Sequence, residues 1–165
     1  MINEIEVPAW ETTYHIHQAG EYVFHLREVG CKLTVRGLVK AKGSDHPELK
    51  TEVIHHVGGT WADVLIRTLS EDQAAPRFQG LIRIMPGAHG SESYLQHHSL
   101  LLGETATSWS LPSLEILADQ VKCSHAATLR TLTEDDLFYP RSRGISPEEA
   151  RELLIQAFLA DVIQV

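Results

Sequence analysis

Lys32-Leu33-Thr34-Val35-Arg36-Gly37-Leu38-Val39-Lys40-Ala41, with its later echo Phe78-Gln79-Gly80-Leu81-Ile82-Arg83-Ile84, is the stretch on which the fold turns. Leu33 and Val35 alternate with Lys32, Thr34 and Arg36, and Phe78, Ile82 and Ile84 alternate with Gln79 and Arg83. A period of two puts one face on a core and the other in water, as a β-strand requires. Outward from these two segments, similar short runs rich in β-branched and aromatic residues fill the chain from Thr12 to about Leu132, with no helical period. The clearest are Tyr14 to His17, Tyr22 to Arg27, Lys32 to Ala41, Thr51 to Val57, Trp61 to Leu69, Phe78 to Met85, Tyr94 to Leu102 and Leu114 to Ala118. Between them stand Gly20, Gly30, Gly43, Gly58-Gly59, Pro76, Pro86-Gly87 and Gly103, which supply turn dihedrals. Blocks at Leu33 to Gly43, Trp61 to Leu69, Phe78 to Gly90 and Leu100 to Ala118 recur at a loose spacing of roughly 20–25 residues, in the range of a solenoid rung. A sandwich or jelly roll gives a similar run of strands, so periodicity alone leaves these topologies open.

After Leu132 the character changes. Thr133-Glu134-Asp135-Asp136 and Ser146-Pro147-Glu148-Glu149 both read as helix starts. In the second, Ser146 can cap a backbone N–H, Pro147 suits the first helical position, and Glu149 can reach back to the Ser146 amide. Leu153, Leu154, Ala157, Phe158 and Val162 form an apolar stripe that must lie on the β body or on a partner. Arg141 and Arg143, in the connection between the helices, are the compact basic pair of the chain. The expected division is a β core over residues 1–132 and a helical region over 133–165.

The 165 residues suit one domain with a core of its own, and Lys+Arg 14 against Asp+Glu 22 gives a net charge of −8. Without a Lys/Arg run, neither nucleic acid nor an anionic membrane is an expected partner. Cys31 and Cys123 form no CxxC, which excludes a four-thiolate site within one chain and fits a reduced, cytoplasmic setting. The acidic start Met1-Ile2-Asn3-Glu4 does not read as a signal peptide, and no apolar run is long enough to span a membrane. Ten histidines would carry the charge from −8 to +2 if all were protonated, so solubility should fall at mildly acidic pH.

Several histidines are candidates for chemistry. His15, His17 and Glu21 make an HxHxxxE pattern whose two imidazoles would share one strand face, as a cupin-type metal site needs. His55-His56 and His97-His98 are adjacent pairs that point to opposite faces, so neither pair chelates by itself. Cys123, Ser124 and His125 lack a nucleophile elbow, and the chain has no phosphate-binding loop or dinucleotide fingerprint, so no catalysis is assigned and any nucleotide would come from a partner.

Leu114-Glu115-Ile116-Leu117-Ala118-Asp119-Gln120-Val121-Lys122-Cys123-Ser124-His125-Ala126-Ala127-Thr128 resembles the SufB/SufD family, scaffolds of the SUF iron-sulfur cluster assembly system. Asp135-Asp136-Leu137-Phe138-Tyr139-Pro140-Arg141-Ser142-Arg143-Gly144-Ile145 and Leu154-Ile155-Gln156-Ala157-Phe158 continue the likeness. Upstream, Phe78 to Ile82, Pro86-Gly87-Ala88, Gln96 and Leu100 to Gly103 match in order. The resemblance implies a right-handed parallel β-helix followed by helices that dock on the ATPase SufC, with Arg141, Arg143, Leu154 and Phe158 in that contact. A cysteine of the SufB branch is replaced by His97, and Ser124 and Ala126 replace glutamates that flank the histidine there, so the chain looks like SufD. In that branch the histidine matching His125 is a cluster-assembly residue at the interface with SufB. Cys123, read as its strand neighbour on the other face and packed inside, and His97 are the further candidates for cluster assembly or metal binding. The implied protein is a non-catalytic scaffold without a permanent cofactor, handling a transient iron-sulfur cluster with a SufC-type ATPase and a SufB-like subunit. Family members carry a large region ahead of the β-helix, which makes pairing with itself a further expectation for this shorter chain. A cupin-type metalloprotein using His15, His17 and Glu21, or a structural homodimer without cluster function, are the competing expectations.

Overall fold

The structure, a computed structural model, describes residues 2–163. Ten strands precede two helices: β1 (Ile2–Val7), β2 (Glu11–Ile16), β3 (Gly20–Leu26), β4 (Lys32–Ala41), β5 (Glu48–His55), β6 (Trp61–Ser70), β7 (Arg77–Ile84), β8 (Glu92–Leu101), β9 (Trp109–Ile116), β10 (Lys122–Thr131), α1 (Glu134–Ser142) and α2 (Pro147–Leu159). Odd-numbered strands form one sheet and even-numbered strands the other, in the orders β1-β3-β5-β7-β9 and β10-β8-β6-β4-β2. Every pairing is parallel. The chain therefore alternates between two facing sheets as it climbs, which is a parallel β-solenoid and excludes the sandwich and jelly roll, whose strands pair antiparallel.

The rungs are longer than the sequence blocks suggest. Lys32 pairs with Trp61, and Trp61 in turn pairs with Glu92. A full rung is thus as long as the interval between those partners. The shorter spacing arose because the blocks mix β4 and β6 of one sheet with β7 of the other, so half rungs were averaged with whole ones. The first rung alone is short, with Ile2 already pairing with Glu21 and Glu11 with Lys32. The strands β1 and β10 lie outside the segments named from sequence.

Inward positions of the two sheets build the core. Phe24, Leu26, Leu33, Val35, Leu49, Val53, Val64, Ile66, Phe78, Ile82, Ile84 and Leu95 are buried in one cluster. Gly80 belongs there because a Cβ would stand 2.6 Å from the Leu95 side chain, whose volume with Phe78 already fills that slot. The outward face of the even sheet carries a second cluster, in which Leu69 and Leu100 meet Leu159 and Val162, with Leu38, Leu65, Ile155 and Phe158 around them. That cluster seats α2 on the solenoid. Thr133 and Ser146 are the N-caps, each in a capping box with Asp136 and Glu149. The apolar stripe expected on α2 is rotated: Leu153 is half exposed and Ala157 exposed, while Ile155 and Leu159 face the sheet beside Phe158 and Val162. No helix among the described residues is long and apolar enough to cross a membrane.

Candidate functional site

The last coil, β9 with β10, is uncovered. Register places Cys123 beside Ser93, His125 beside Leu95, Ala127 beside His97 and Leu129 beside Ser99. Ser93, Leu95, His97 and Ser99 all point into the solenoid and are buried. The same inward column continues into β10, but there no further coil lies above it, so His125, Ala127 and Leu129 are exposed. Cys123 and His125 therefore share a face, as residues two apart on a strand must. This corrects the expectation that they point to opposite sides. Cys123 is half buried against the core, and that burial pushes its thiol up from the ordinary cysteine value, so the neutral thiol is favoured at rest. Neighbours on one strand face can supply two ligands, but iron takes about four. Among the described residues no third histidine, cysteine or carboxylate stands with these two. Iron held here would take its remaining ligands from outside this pair of side chains.

The edge of β10 is equally open. Lys122 donates to the Ser91 carbonyl and Leu132 to that of Leu101, so even-numbered residues face β8 through the intervening ladder. The amides and carbonyls of Cys123, His125, Ala127, Leu129 and Thr131 consequently point to the free edge of the sheet.

His97 lies one layer below. It is wholly buried, with Nε2 2.9 Å from Thr68 Oγ1 and Nδ1 2.8 Å from Ser110 Oγ, and Phe78 packs on its ring at 4.5 Å. Ser99 and Ser108 hydroxyls, 2.9 Å apart, extend the cluster. A cavity of about 180 Å³ lined by Ser99, Ser108, Ser110, Ala127, Thr128 and Leu129 opens beside it. Burial, with a smaller push from His98, lowers His97 to about 4, so it is neutral at pH 7 with both ring nitrogens engaged. The sequence marked His97 but not its hydroxyl partners; the signal was Thr68 and Ser99 at positions where alternation calls for apolar side chains.

The cupin-type set is not assembled. His15 and His17 stack at 6.0 Å between centroids on the even sheet and just beyond its strand β2, while Glu21 lies on β3 of the other sheet. Among the described residues no group of three or more His, Cys, Asp or Glu side chains is placed to hold a metal ion. With the all-parallel pairing, this overturns the cupin expectation.

The helical region divides its candidates. Phe158 is half buried, with the Arg67 guanidinium 4.7 Å from its ring centre, and Leu154 is half buried. Arg141 is exposed and pairs with Glu134 at 3.1 Å, and Arg143 lies over the Tyr139 ring at 5.4 Å. Phe138 and Tyr139, absent from the candidates read in the sequence, are 72% and 67% exposed. A cleft of about 500 Å³ lies on α1 between Glu134, Asp135, Phe138, Arg141 and Ser142.

Residues 17–158 match the family model for the SUF system FeS cluster assembly SufBD core domain. The chain is 32% identical to the iron-sulfur cluster assembly protein SufD of Escherichia coli over 132 residues, 80% of this chain and 31% of that protein. It is 32% identical to an iron-sulfur cluster assembly SufBD family protein of Synechocystis over 68% of this chain and 24% of that one. SufB of Bacillus subtilis is 27% identical over 81% of this chain and 29% of its own length. The chain thus spans about a third or less of the length of these relatives.

Proposed function

The chain belongs to the SufBD family of the SUF iron-sulfur cluster assembly system, and from that premise we propose that it is a SufD-like scaffold subunit that works by presenting its open end to a second SufBD-type chain and its helices to a SufC-type ATPase. The observation that carries this reading is the uncovered β10, which places Cys123, His125 and a row of unpaired backbone groups on one accessible edge. A long parallel strand edge left in water invites pairing, and a strand from another chain satisfies it. Two ligands without a third, at an edge built to be covered, make an assembly site completed across an interface. The cluster is cargo: His125 offers an exposed imidazole, and Cys123 becomes a ligand only as the incoming metal displaces its thiol proton to water. Phe138, Tyr139 and Leu153, large apolar side chains exposed on the helical region, supply the ATPase contact, with Arg141 and Arg143 at its rim. Phe158 serves instead to seat α2.

The test is anaerobic co-purification with a SufC-type ATPase and a SufB-like subunit, with iron and sulfide content measured. Phe138→Ala should weaken ATPase retention by at least tenfold and leave the fold intact. His125→Ala should leave both complexes intact and remove cluster accumulation. Full cluster yield from His125→Ala would take His125 out of the site, and retention unaffected by Phe138→Ala with Tyr139→Ala would place the ATPase elsewhere.

A further inference from the structure

Asp161, Arg67, His98 and Thr128 stand in one row between α2 and β10 on the outer face of the even sheet, with hydrogen bonds at its two ends and charge across the register pair Arg67 and His98 between them. Arg67 on β6, His98 on β8 and Thr128 on β10 are successive partners in register. Arg67 Nη2 is 2.6 Å from Asp161 Oδ2, just past the end of α2, and its guanidinium stacks on Phe158 from α2 itself. Its side chain is 17% exposed and its Nε is buried without a hydrogen-bond partner, so its interactions are committed to α2 and not to its own sheet. On the other side of His98, Nδ1 stands 2.6 Å from Thr128 Oγ1, and Nε2 stands 3.3 Å from Gln96 Oε1. Thr128 is flanked by Ala127 and Leu129, whose side chains and backbone groups form the open face.

We infer that Arg67 is a positioning residue through which the docking of α2 orders β10, the line Asp161–Arg67–His98–Thr128 coupling the helical region to the strand that bears Cys123 and His125. An edge strand is held by one neighbour only, and the side-chain bonds that tie β10 to β8 are Lys122–Glu92 at its start and His98–Thr128 in its second half, each 2.6 Å, so the latter is the anchor beside the open face. With α2 seated, Asp161 neutralises Arg67 and shields His98 from water. With α2 displaced, both are exposed, water competes for Thr128, and β10 loosens. The coupling is a property of the isolated chain. Its use, a partner on the helices altering the assembly edge, rests on the function proposed above.

The charged and titratable groups facing His98 are Arg67, Asp161 and, through the sheet, His97. Burial lowers His98 first, Arg67 lowers it further, and Asp161 opposes this. The titration of His98 therefore reports whether α2 is seated.

The experiment uses the full chain without any partner. Hydrogen exchange is followed in the wild type and in Asp161→Asn, Arg67→Met and Thr128→Val, with Asp161→Glu as the conservative variant. Asp161→Asn and Arg67→Met should speed exchange about tenfold at the Ala126, Thr128 and Arg130 amides, which bond β8, and leave β4 unchanged; Asp161→Glu should restore protection. Asp161→Asn with Thr128→Val should be less than additive. By NMR the His98 midpoint should rise in both Asp161→Asn and Arg67→Met, because unseating α2 relieves the burial that lowers it most, and should return to the wild-type value in Asp161→Glu. Faster exchange in α2 with β10 unchanged overturns the coupling, as does equal acceleration across β4, β6 and β8. Because no ATPase is present, neither result bears on whether the helices bind one, which the retention assay decides separately.

Discussion

His55 and His97 are imidazoles that folding takes out of water, and burial, ahead of the adjoining histidine of each pair, holds both at about 4. A histidine whose folded value lies below its unfolded value near 6.5 binds fewer protons when folded. Its stabilising share is complete above about pH 6.5 and drains away as the pH falls towards 4. For each of the two the loss between pH 7 and pH 5 is roughly 2 kcal/mol. Glu92, Asp136 and Glu149, held below the usual carboxylate range by hydrogen bonds from Lys122, Thr133 and Ser146 respectively, lose their share only at lower pH, outside this window. His56 and His98, also held low by burial, add to the same window, so urea unfolding at pH 7, 6 and 5 should show a falling stability that His97→Gln makes shallower without abolishing it. A curve flat over that range would mean the two rings find water once protonated. Neither burial was legible in the sequence, where His55 and His97 were half of two adjacent pairs. Alternation says which residue of a pair points inward, but only register brings Thr68 and Ser110 to the His97 ring, and register is set by neighbours a whole rung away along the chain.

At the scale of elements, what could be read depended on whether a segment forms itself or is templated. α2 carries its own start signal: Ser146 accepts from the Glu149 amide and Glu149 answers to the Ser146 amide. Ser146→Ala should cost about 1 kcal/mol, seen as faster exchange in the first turn of α2 and a lower unfolding midpoint, with β-sheet circular dichroism unchanged. An unaltered midpoint would show that packing on Leu69 and Leu100 alone fixes the helix. Its face was harder to read, since Leu153-Leu154-Ile155 and Ala157-Phe158-Leu159 offer two apolar stripes. Phe158 stacked on Arg67, with Ile155 and Leu159 against the sheet, selects between them. β10 is the opposite case. Lys122 to Thr131 is short of aromatic and branched residues, and it is a strand because β8 offers it a complete parallel edge. The likeness to a known family marked Cys123 and His125 without revealing that they share a face.

The whole molecule has two unlike ends. At the start the rung shortens and aromatic side chains close it: Tyr14 meets Phe24 edge-on at 5.2 Å and Tyr22 at 6.1 Å. At the other end β9 and β10 are left with exposed Trp109, Leu111, Ile116 and Leu129 and with a strand edge facing outward. A solenoid needs its terminal coils covered, because stacked neighbours are what bury each rung. β1 and β2 are sheet edges as well, but Ile5 and Val7 pack on the core there, and the proposed function places its partner at the β9–β10 end. Proline at position 127 separates edge pairing from folding. The Ala127 amide points to the free edge and makes no ladder bond to β8, and proline is tolerated on an edge strand whose N–H faces solvent. Ala127→Pro should keep the urea midpoint of the wild type and weaken pairing with a second SufBD-type chain, itself included, by more than tenfold in light scattering or sedimentation. Ala126→Pro, one residue earlier, removes a donor to β8 and should lower the midpoint as well. Equal pairing by wild type and Ala127→Pro would place the partner on the outer sheet faces and leave the open coil without an occupant.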